Sequence, residues 1–312
     1  MKFNVFLSTF FILALFITGC SKEEVLAEDI NSTSIDEQEN YAPENLTGRV
    51  QNTLRSNSST DGSDVLVSAF FGLDNSLPRN INLICRRGRN MDGMPVNFKY
   101  SIDPNTLAPE DFEVVDSRGN LYTPRCATLA PANEAGEGRT VLLVGEFGDE
   151  VTNPPVEVRI VDDLFTVAQS TNESACSEVI NLNGLFTENV VPLSDGPSMF
   201  FAQKIEGDIT ECADAVQVIQ VAWNGGIVPV DDNIQEADLF QFYTVYTDSS
   251  GVLIPHTPVS IADINDNDNF HQLCLDFTDP VVKVTIGANI VEDPNGDPNL
   301  ASEIEVSYCG EN

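Results

Sequence analysis

The chain from Asp64 onward alternates short apolar runs with polar turns. The runs are rich in Val, Ile, Phe and Tyr, as in V-L-V-S-A-F-F, V-Q-V-I-Q-V-A-W and Q-F-Y-T-V-Y, and clusters of Gly, Pro, Asn and Asp separate them. Several runs alternate apolar and polar positions with a period of two, which is typical of strands that are buried on one face. No long stretch shows a helical period. The pattern therefore predicts an all-β protein made of sandwiches.

Two parts of this β region share their spacing of strands and turns. Phe112 and Pro124 are 12 residues apart in the first part, and Phe242 and Pro255 are 13 apart in the second. Each pair brackets an apolar strand, a polar turn that contains glycine, and a second short apolar run. We therefore predict two tandem, duplicated modules of the immunoglobulin-like or cadherin-like sandwich type. The alternative is that any two sandwiches share such spacing.

The predicted boundaries follow changes in composition. The first module is expected over residues 64–167 and the second over residues 176–312, with the polar stretch at 168–174 between them. Residues 20–63 are rich in Ser, Asn, Asp, Glu and Gln, and such a segment buries too little apolar surface to offset its ordering entropy. This segment is therefore expected to form a disordered, acidic tether.

The amino terminus has the features of a secretory signal. Residues 1–19 contain one lysine and an apolar run of 13 residues, Val5–Ile17, which is shorter than the ~20 residues of a membrane-spanning helix. The ending Ile17-Thr18-Gly19-Cys20 resembles the lipobox of bacterial lipoproteins. That resemblance implies that Cys20 becomes the first mature residue and carries lipid chains such as palmitate. An ordinary signal peptide followed by a stray cysteine is the alternative.

The residues after Cys20 suggest where such a lipoprotein would lie. Ser21-Lys22-Glu23-Glu24 resembles the export signal of surface lipoproteins in the Bacteroidetes. The resemblance implies a protein anchored in the outer membrane by its lipid and facing the extracellular side. The alternative is that these residues simply begin the solvated tether.

Net charge excludes one class of partner. The 312 residues include 49 Asp and Glu against 15 Lys and Arg, which gives a formal charge of −34. A surface of this sign cannot neutralise phosphates, so nucleic-acid binding is not expected. The 42% of hydrophobic residues excludes disorder along the whole chain.

The cysteines predict disulfides. An even number beyond Cys20 in an exported chain is typical of a disulfide framework, and the absence of any C-x-x-C pair disfavours zinc. If the modules fold separately, Cys85 must pair with Cys126. In the second module, sequential pairing of Cys176 with Cys212 and of Cys274 with Cys309 is expected.

An acidic run in the second module predicts a calcium site. Calcium takes six to eight oxygen ligands, which carboxylates, amides and backbone carbonyls supply. The segment D-I-N-D-N at Asp263–Asn267 resembles the calcium-binding linker of cadherin repeats, and the ligands it implies, with the next residue, are Asp263, Asn265, Asp266, Asn267 and Asp268. A second candidate set is Asp293, Asn295 and Asp297. A solvated Asp/Asn turn is the alternative in both places.

No catalytic signature and no organic-cofactor motif occur in the sequence. His271 near Asp263 or Asp266 could act as a general base or a metal ligand, although a surface or capping role is the ordinary one. Trp223 shares a strand face with aliphatic residues, which favours core packing over a sugar platform. The basic cluster Arg86-Arg87-Gly88-Arg89 is expected to pair internally or be solvated; contact with a sulfated or carboxylated glycan is the alternative.

The sequence thus favours a non-enzymatic, calcium-stabilised binding or adhesion lipoprotein that captures an extracellular glycan or a surface protein. A secreted hydrolase of polysaccharides or esters and a structural envelope protein are the alternatives.

Overall fold

The structure is a computed structural model that describes residues 65–133, 136–170, 175–177, 179–205, 212, 215–265 and 268–308. These residues belong to one compact unit, residues 57–312. The predicted signal, the lipidation site Cys20 and the tether lie outside the described residues. Within the described ranges, no helix has the length and apolar character needed to cross a bilayer.

The first half of the described chain forms one pair of sheets. Its strands are β1 (Leu66–Phe70), β2 (Asp92–Phe98), β3 (Phe112–Asp116), β4 (Leu121–Tyr122), β5 (Cys126–Thr128), β6 (Thr140–Gly145), β7 (Pro155–Ile160), β8 (Gln169–Ser170), β9 (Ala175–Ser177), β10 (Phe186–Thr187) and β11 (Val190–Val191). The sheets have the orders β11-β1-β2-β6-β5 and β10-β7-β3-β4. Val96 and Val141 from one sheet and Val114 and Val158 from the other share a single buried core.

The second half repeats this plan. Its strands are β12 (Met199–Ile205), β13 (Gln217–Trp223), β14 (Val228–Pro229), β15 (Tyr243–Ser249), β16 (Val252–His256), β17 (Ser260–Ala262), β18 (Phe270–Leu275), β19 (Val281–Ile286), β20 (Val291–Glu292) and β21 (Ser302–Glu305). The main sheets have the orders β12-β13-β18-β17 and β16-β15-β19-β21, and β14 pairs with β20. Trp223 and Leu273 from one sheet pack in one core with Tyr243 and Val284 from the other.

The all-β prediction is confirmed, because strands dominate and the described helices are three short 3-10 turns at Arg79–Leu83, Pro109–Asp111 and Glu236–Phe242. The order β1-β2-β6-β5 recurs as β12-β13-β18-β17, and β10-β7-β3-β4 recurs as β21-β19-β15-β16. This is the strand order of immunoglobulin-like sandwiches. Equal order agrees with duplication but also arises between unrelated sandwiches, so common ancestry of the halves stays a prediction.

The first sandwich extends beyond its expected end at residue 167. Phe186 of β10 pairs with Arg159, and Val190 of β11 pairs in parallel with Ala69 of β1. Leu182 is buried in the first core and Leu193 packs against it. The polar stretch at 168–174 therefore does not mark the end of the first core: β8, which lies in this stretch, pairs with β9, which follows it. Polar composition favours a loop but does not show which sheet the next strands join.

Two disulfides lie in the described residues. Cys85 is bonded to Cys126, as predicted. Cys212 is bonded to Cys274, so the predicted sequential pairs of Cys212 with Cys176 and of Cys274 with Cys309 are wrong. The reason is sheet topology: β13 pairs with β18, with Val218 opposite Cys274, which brings the segment before β13 next to Cys274. The side chains of Cys176 and Cys309 lie outside the described part of the chain.

Buried contacts join the two sandwiches. The side-chain amide of Asn97 donates to the backbone carbonyl of Asn224 (3.2 Å), and that of Asn269 donates to Thr140 Oγ1 (2.9 Å). Gly225 lies so close to the Phe70 ring that a Cβ atom there would be 2.5 Å from a ring carbon. The two cores therefore meet through specific, close-packed contacts.

Candidate cation site between the two sandwiches

Three buried carboxylates converge where the sandwiches meet. Glu137, Asp263 and Asp268 each place one carboxylate oxygen within 4.8 Å of the others. Their side chains are 1%, 6% and 6% exposed. Elsewhere in the described ranges, no comparable group of carboxylate, histidine or cysteine ligands occurs.

The strand plan explains why these residues meet. Asp263 directly follows β17, and Asp268 lies just before β18. Glu137 lies just before β6, in the corresponding β5–β6 loop of the first sandwich. Two equivalent loops, one from each sandwich, thus contribute to one cluster.

Local backbone geometry fixes the carboxylates. Asp263 has a left-handed backbone (φ 62°), and so does Asn265 (φ 67°), which turns the chain sharply after β17. One oxygen of Asp268 accepts a hydrogen bond from the backbone amide of Phe270 (2.8 Å). This bond holds the Asp268 side chain over the start of β18.

The cluster has a high density of negative charge in a buried place. Charged carboxylates this close repel one another, and a proton or a nearby positive charge offsets that repulsion. Burial strengthens the repulsion, because the surrounding dielectric is low. Oxygen-only ligands of this kind suit a hard cation such as calcium, which takes carboxylates and carbonyls.

Arg139 is a buried arginine two residues after Glu137, and its guanidinium contacts three other residues. Its guanidinium donates to the backbone carbonyl of Lys99 and to Gln203 Oε1 (2.8 Å), and it lies 4.2 Å from the centre of the Phe201 ring. Desolvation by burial lowers the pKa of Arg139 to about 10, so it remains a cation at neutral pH. Its contacts with Gln203 and Phe201 tie the start of β6 to β12.

Two of the five predicted ligands lie in this cluster. Asp263 and Asp268 come together, whereas Asp266 and Asn267 lie outside the described residues. Asn265 is exposed, and its backbone amide donates to Glu236 Oε2 (3.0 Å). Glu137, the third carboxylate of this cluster, was not among the predicted ligands. The signal available in the sequence was its position, because the loop that ends at Glu137 precedes an apolar strand as the loop at 265–269 does.

The second predicted set, Asp293, Asn295 and Asp297, forms a hydrogen-bonded turn. Asp293 is 1% exposed, and its Oδ1 accepts hydrogen bonds from the backbone amides of Asn295 (2.9 Å) and Asp297 (3.0 Å). Burial raises the pKa of Asp293 above its usual value. The Asn295 side chain donates to the carbonyl of Gly72 (2.6 Å) in the first sandwich. These bonds account for the Asp/Asn pattern as a turn that fastens the two sandwiches.

His271 lies in a buried series of side-chain contacts, in which its ring nitrogens face Tyr243 and Glu236. Trp223 Nε1 donates to the Tyr243 hydroxyl (3.0 Å), which lies 2.9 Å from His271 Nδ1. Nε2 of His271 lies 3.4 Å from Glu236 Oε1, so the contacts run from Trp223 through Tyr243 and His271 to Glu236.

These contacts stabilise the second core and, through Glu236, the loop at Asn265 beside the carboxylate cluster. His271 is 0% exposed and Tyr243 is 1% exposed, so neither is accessible to a substrate. Burial raises the pKa of Glu236, but bonds from His271 and from the Asn265 backbone outweigh it, and the pKa lies below its usual value. Trp223 is fully buried, which agrees with the core role and excludes a sugar-stacking surface.

Comparison of the chain with protein-family models, with curated proteins and with solved structures finds no match.

Proposed function

We propose that this protein is a lipid-anchored, non-enzymatic binding or adhesion protein of the outer membrane, whose two sandwiches are joined by a calcium ion. The observation that carries the calcium proposal is the meeting of Glu137 from one sandwich with Asp263 and Asp268 from the other. A cation held by loops of both sandwiches would fix their mutual orientation, which a binding surface spanning both would require. The anchor at Cys20 rests on the lipobox resemblance.

Burial favours binding over catalysis. The two described residues best suited to acid–base chemistry, His271 and Tyr243, are engaged with each other inside the second core. The other histidine, His256, stacks on Phe277 at 4.3 Å and contacts Thr247 Oγ1 through Nε2 at 3.1 Å. Among the described residues, neither histidine contacts a nucleophile on an accessible surface.

A thermal melt with calcium or with a chelator tests the proposal. A ligand at one hundred times its Kd stabilises the folded state by about 2.7 kcal/mol. For a protein of this size, that raises the melting temperature by roughly 5 to 10 °C. Magnesium serves as the comparison cation, because its stricter octahedral geometry suits a flexible carboxylate cage less well.

The variant Glu137→Gln separates ion binding from general charge effects. In chelator, Glu137→Gln should melt at or above the wild-type temperature, because one repelling charge is gone; in calcium it should melt below wild type, because one ligand is lost. Glu305→Gln, at an exposed position, is the control and should keep the full calcium response. A wild-type melting temperature that does not change with millimolar calcium would contradict the proposal that a calcium ion joins the two sandwiches. Turnover on a panel of glycans and esters would contradict the non-enzymatic role.

A further inference from the structure

A cleft opens between the sandwiches beside the candidate cation site. It has a volume of about 400 Å³, within the range of ligand-binding pockets. Leu77, Ile81 and Leu142 from the first sandwich give it an aliphatic wall. The second sandwich contributes Gly225 and Asp268, so the cleft is formed by both sandwiches together.

The loop between β1 and β2 forms a rim of this cleft and presents apolar side chains to solvent. Leu83 is 90% exposed and Ile84 is 49% exposed, and Ile84 lines the cleft. The loop is held in place, because Ile81 and Cys85 are buried in a small core of their own and Cys85 is bonded to Cys126. The exposed leucine and isoleucine therefore belong to a fixed surface.

The same loop concentrates positive charge. Arg79, Arg86, Arg87 and Arg89 are all exposed, in a chain whose net charge is −34. Arg125 Nε donates to the Arg86 carbonyl (3.0 Å), which adds a fifth guanidinium at the base of the loop. In the part of the chain that the structure describes, no carboxylate forms an ion pair with the four loop arginines. The internal pairing considered from the sequence is thus not seen among these residues.

We infer that this cleft and the arginine-bearing loop at its rim together form a docking site for an acidic polypeptide segment that carries aliphatic side chains. Arginines pair bidentately with carboxylates, and arginine and exposed apolar side chains together are typical of protein interfaces. An acidic glycan would satisfy the arginines but would not account for Leu83, Ile84 and the aliphatic wall. Sugar sites commonly use accessible aromatic faces, and the aromatic side chain at this cleft, Phe70, is fully buried.

This inference rests on the proposed binding function and names the class of partner. Charge complementarity provides long-range attraction at the rim, and the aliphatic wall provides desolvated contact. Since Asp268 belongs both to the carboxylate cluster and to the cleft lining, the assay is run in calcium, where the junction is expected to be ordered.

Fluorescence anisotropy with a short labelled peptide of glutamate, leucine and serine tests the inference on the full chain. Binding is expected to weaken as salt is raised, and to be lost when the leucines of the peptide become serine or its glutamates become lysine. Arg86→Glu and Leu83→Ser should each weaken binding about tenfold, which corresponds to about 1.4 kcal/mol. Arg118→Glu, at an exposed position between β3 and β4 and not in the β1–β2 loop, is the charge-matched control and should bind as wild type.

Alginate oligosaccharides provide the acidic glycan for comparison. Tighter binding of alginate than of the peptide, with no effect of Leu83→Ser, would overturn the polypeptide assignment in favour of a glycan. Failure of the calcium-bound protein to bind the peptide would overturn the cleft assignment alone. Cleavage of the labelled peptide would instead overturn the non-enzymatic function, so the two failures are distinguishable.

Discussion

Because of the buried carboxyl group of Asp92, we expect one contribution to the free energy of unfolding to increase as the pH falls. This residue begins β2 and is fully buried. Its two oxygens accept hydrogen bonds from the backbone amides of Phe147 (2.6 Å) and Asn75 (2.8 Å). Burial raises the pKa of Asp92 to about 6, and although these two bonds oppose the shift, the neighbouring acids Asp74 and Glu146 add to it.

The sign follows from proton binding. The folded form holds the Asp92 proton up to about pH 6, whereas the unfolded form releases it near pH 3.8. The stabilising contribution is therefore fully present below about pH 4 and is lost as the pH rises through 6. A difference of about two between the folded and unfolded pKa values corresponds to about 3 kcal/mol in the free energy of unfolding. Because solvent screens the repulsion from exposed Glu146 and half-buried Asp74, we expect about 1 to 2 kcal/mol.

Guanidinium denaturation of wild type and Asp92→Asn at pH 4 and pH 8 measures this contribution. The variant loses one hydrogen-bond acceptor at every pH, so its free energy of unfolding should lie below wild type by about 1 to 3 kcal/mol at low pH. The difference should shrink by about 1 to 2 kcal/mol at high pH, where wild-type Asp92 is charged.

Asp116 supplies a control of opposite sign. Burial would raise its pKa, but hydrogen bonds from Asn120, Asn153 and Tyr122 outweigh burial and hold the pKa far below its usual value. Its stabilising effect is present above the unfolded pKa and is lost as the pH falls, so the difference between wild type and Asp116→Asn should grow with pH. The reasoning for Asp92 is refuted if the free energy of unfolding of wild type minus that of Asp92→Asn does not change with pH, or if this difference grows as the pH rises.

Two further predictions concern the junction and the anchor. Gly225→Ala places a Cβ atom 2.5 Å from the Phe70 ring, so it should lower the free energy of unfolding by about 1 to 3 kcal/mol in denaturant titrations. The control Gly226→Ala, where the nearest atom is 3.7 Å away, should be close to neutral, and equal losses in the two variants would argue against close packing at Gly225. In cells fed a labelled palmitate analogue, wild type should incorporate label and Cys20→Ser should not; a labelled Cys20→Ser protein would contradict the lipobox.

Local pattern was sufficient to predict the secondary structure and one disulfide. Alternation with period two depends only on neighbouring residues, so the strand-rich fold was predictable from the sequence. Cys85–Cys126 was predictable because no other cysteine lies within residues 64–167, the predicted first module. The buried position of Trp223 followed from the aliphatic residues on the same strand face.

Tertiary structure decided which distant segments meet. Sheet pairing of β13 with β18 selected Cys274 as the partner of Cys212, and packing of the two sandwiches brought Glu137 to Asp263 and Asp268. Pairing across sheets and between cores depends on side chains far apart in the chain, which spacing within a loop does not encode. The sequence thus determined the strands, the turns and the acidic loop, whereas only the close packing of the two cores determined which acidic residues lie together and which line the cleft.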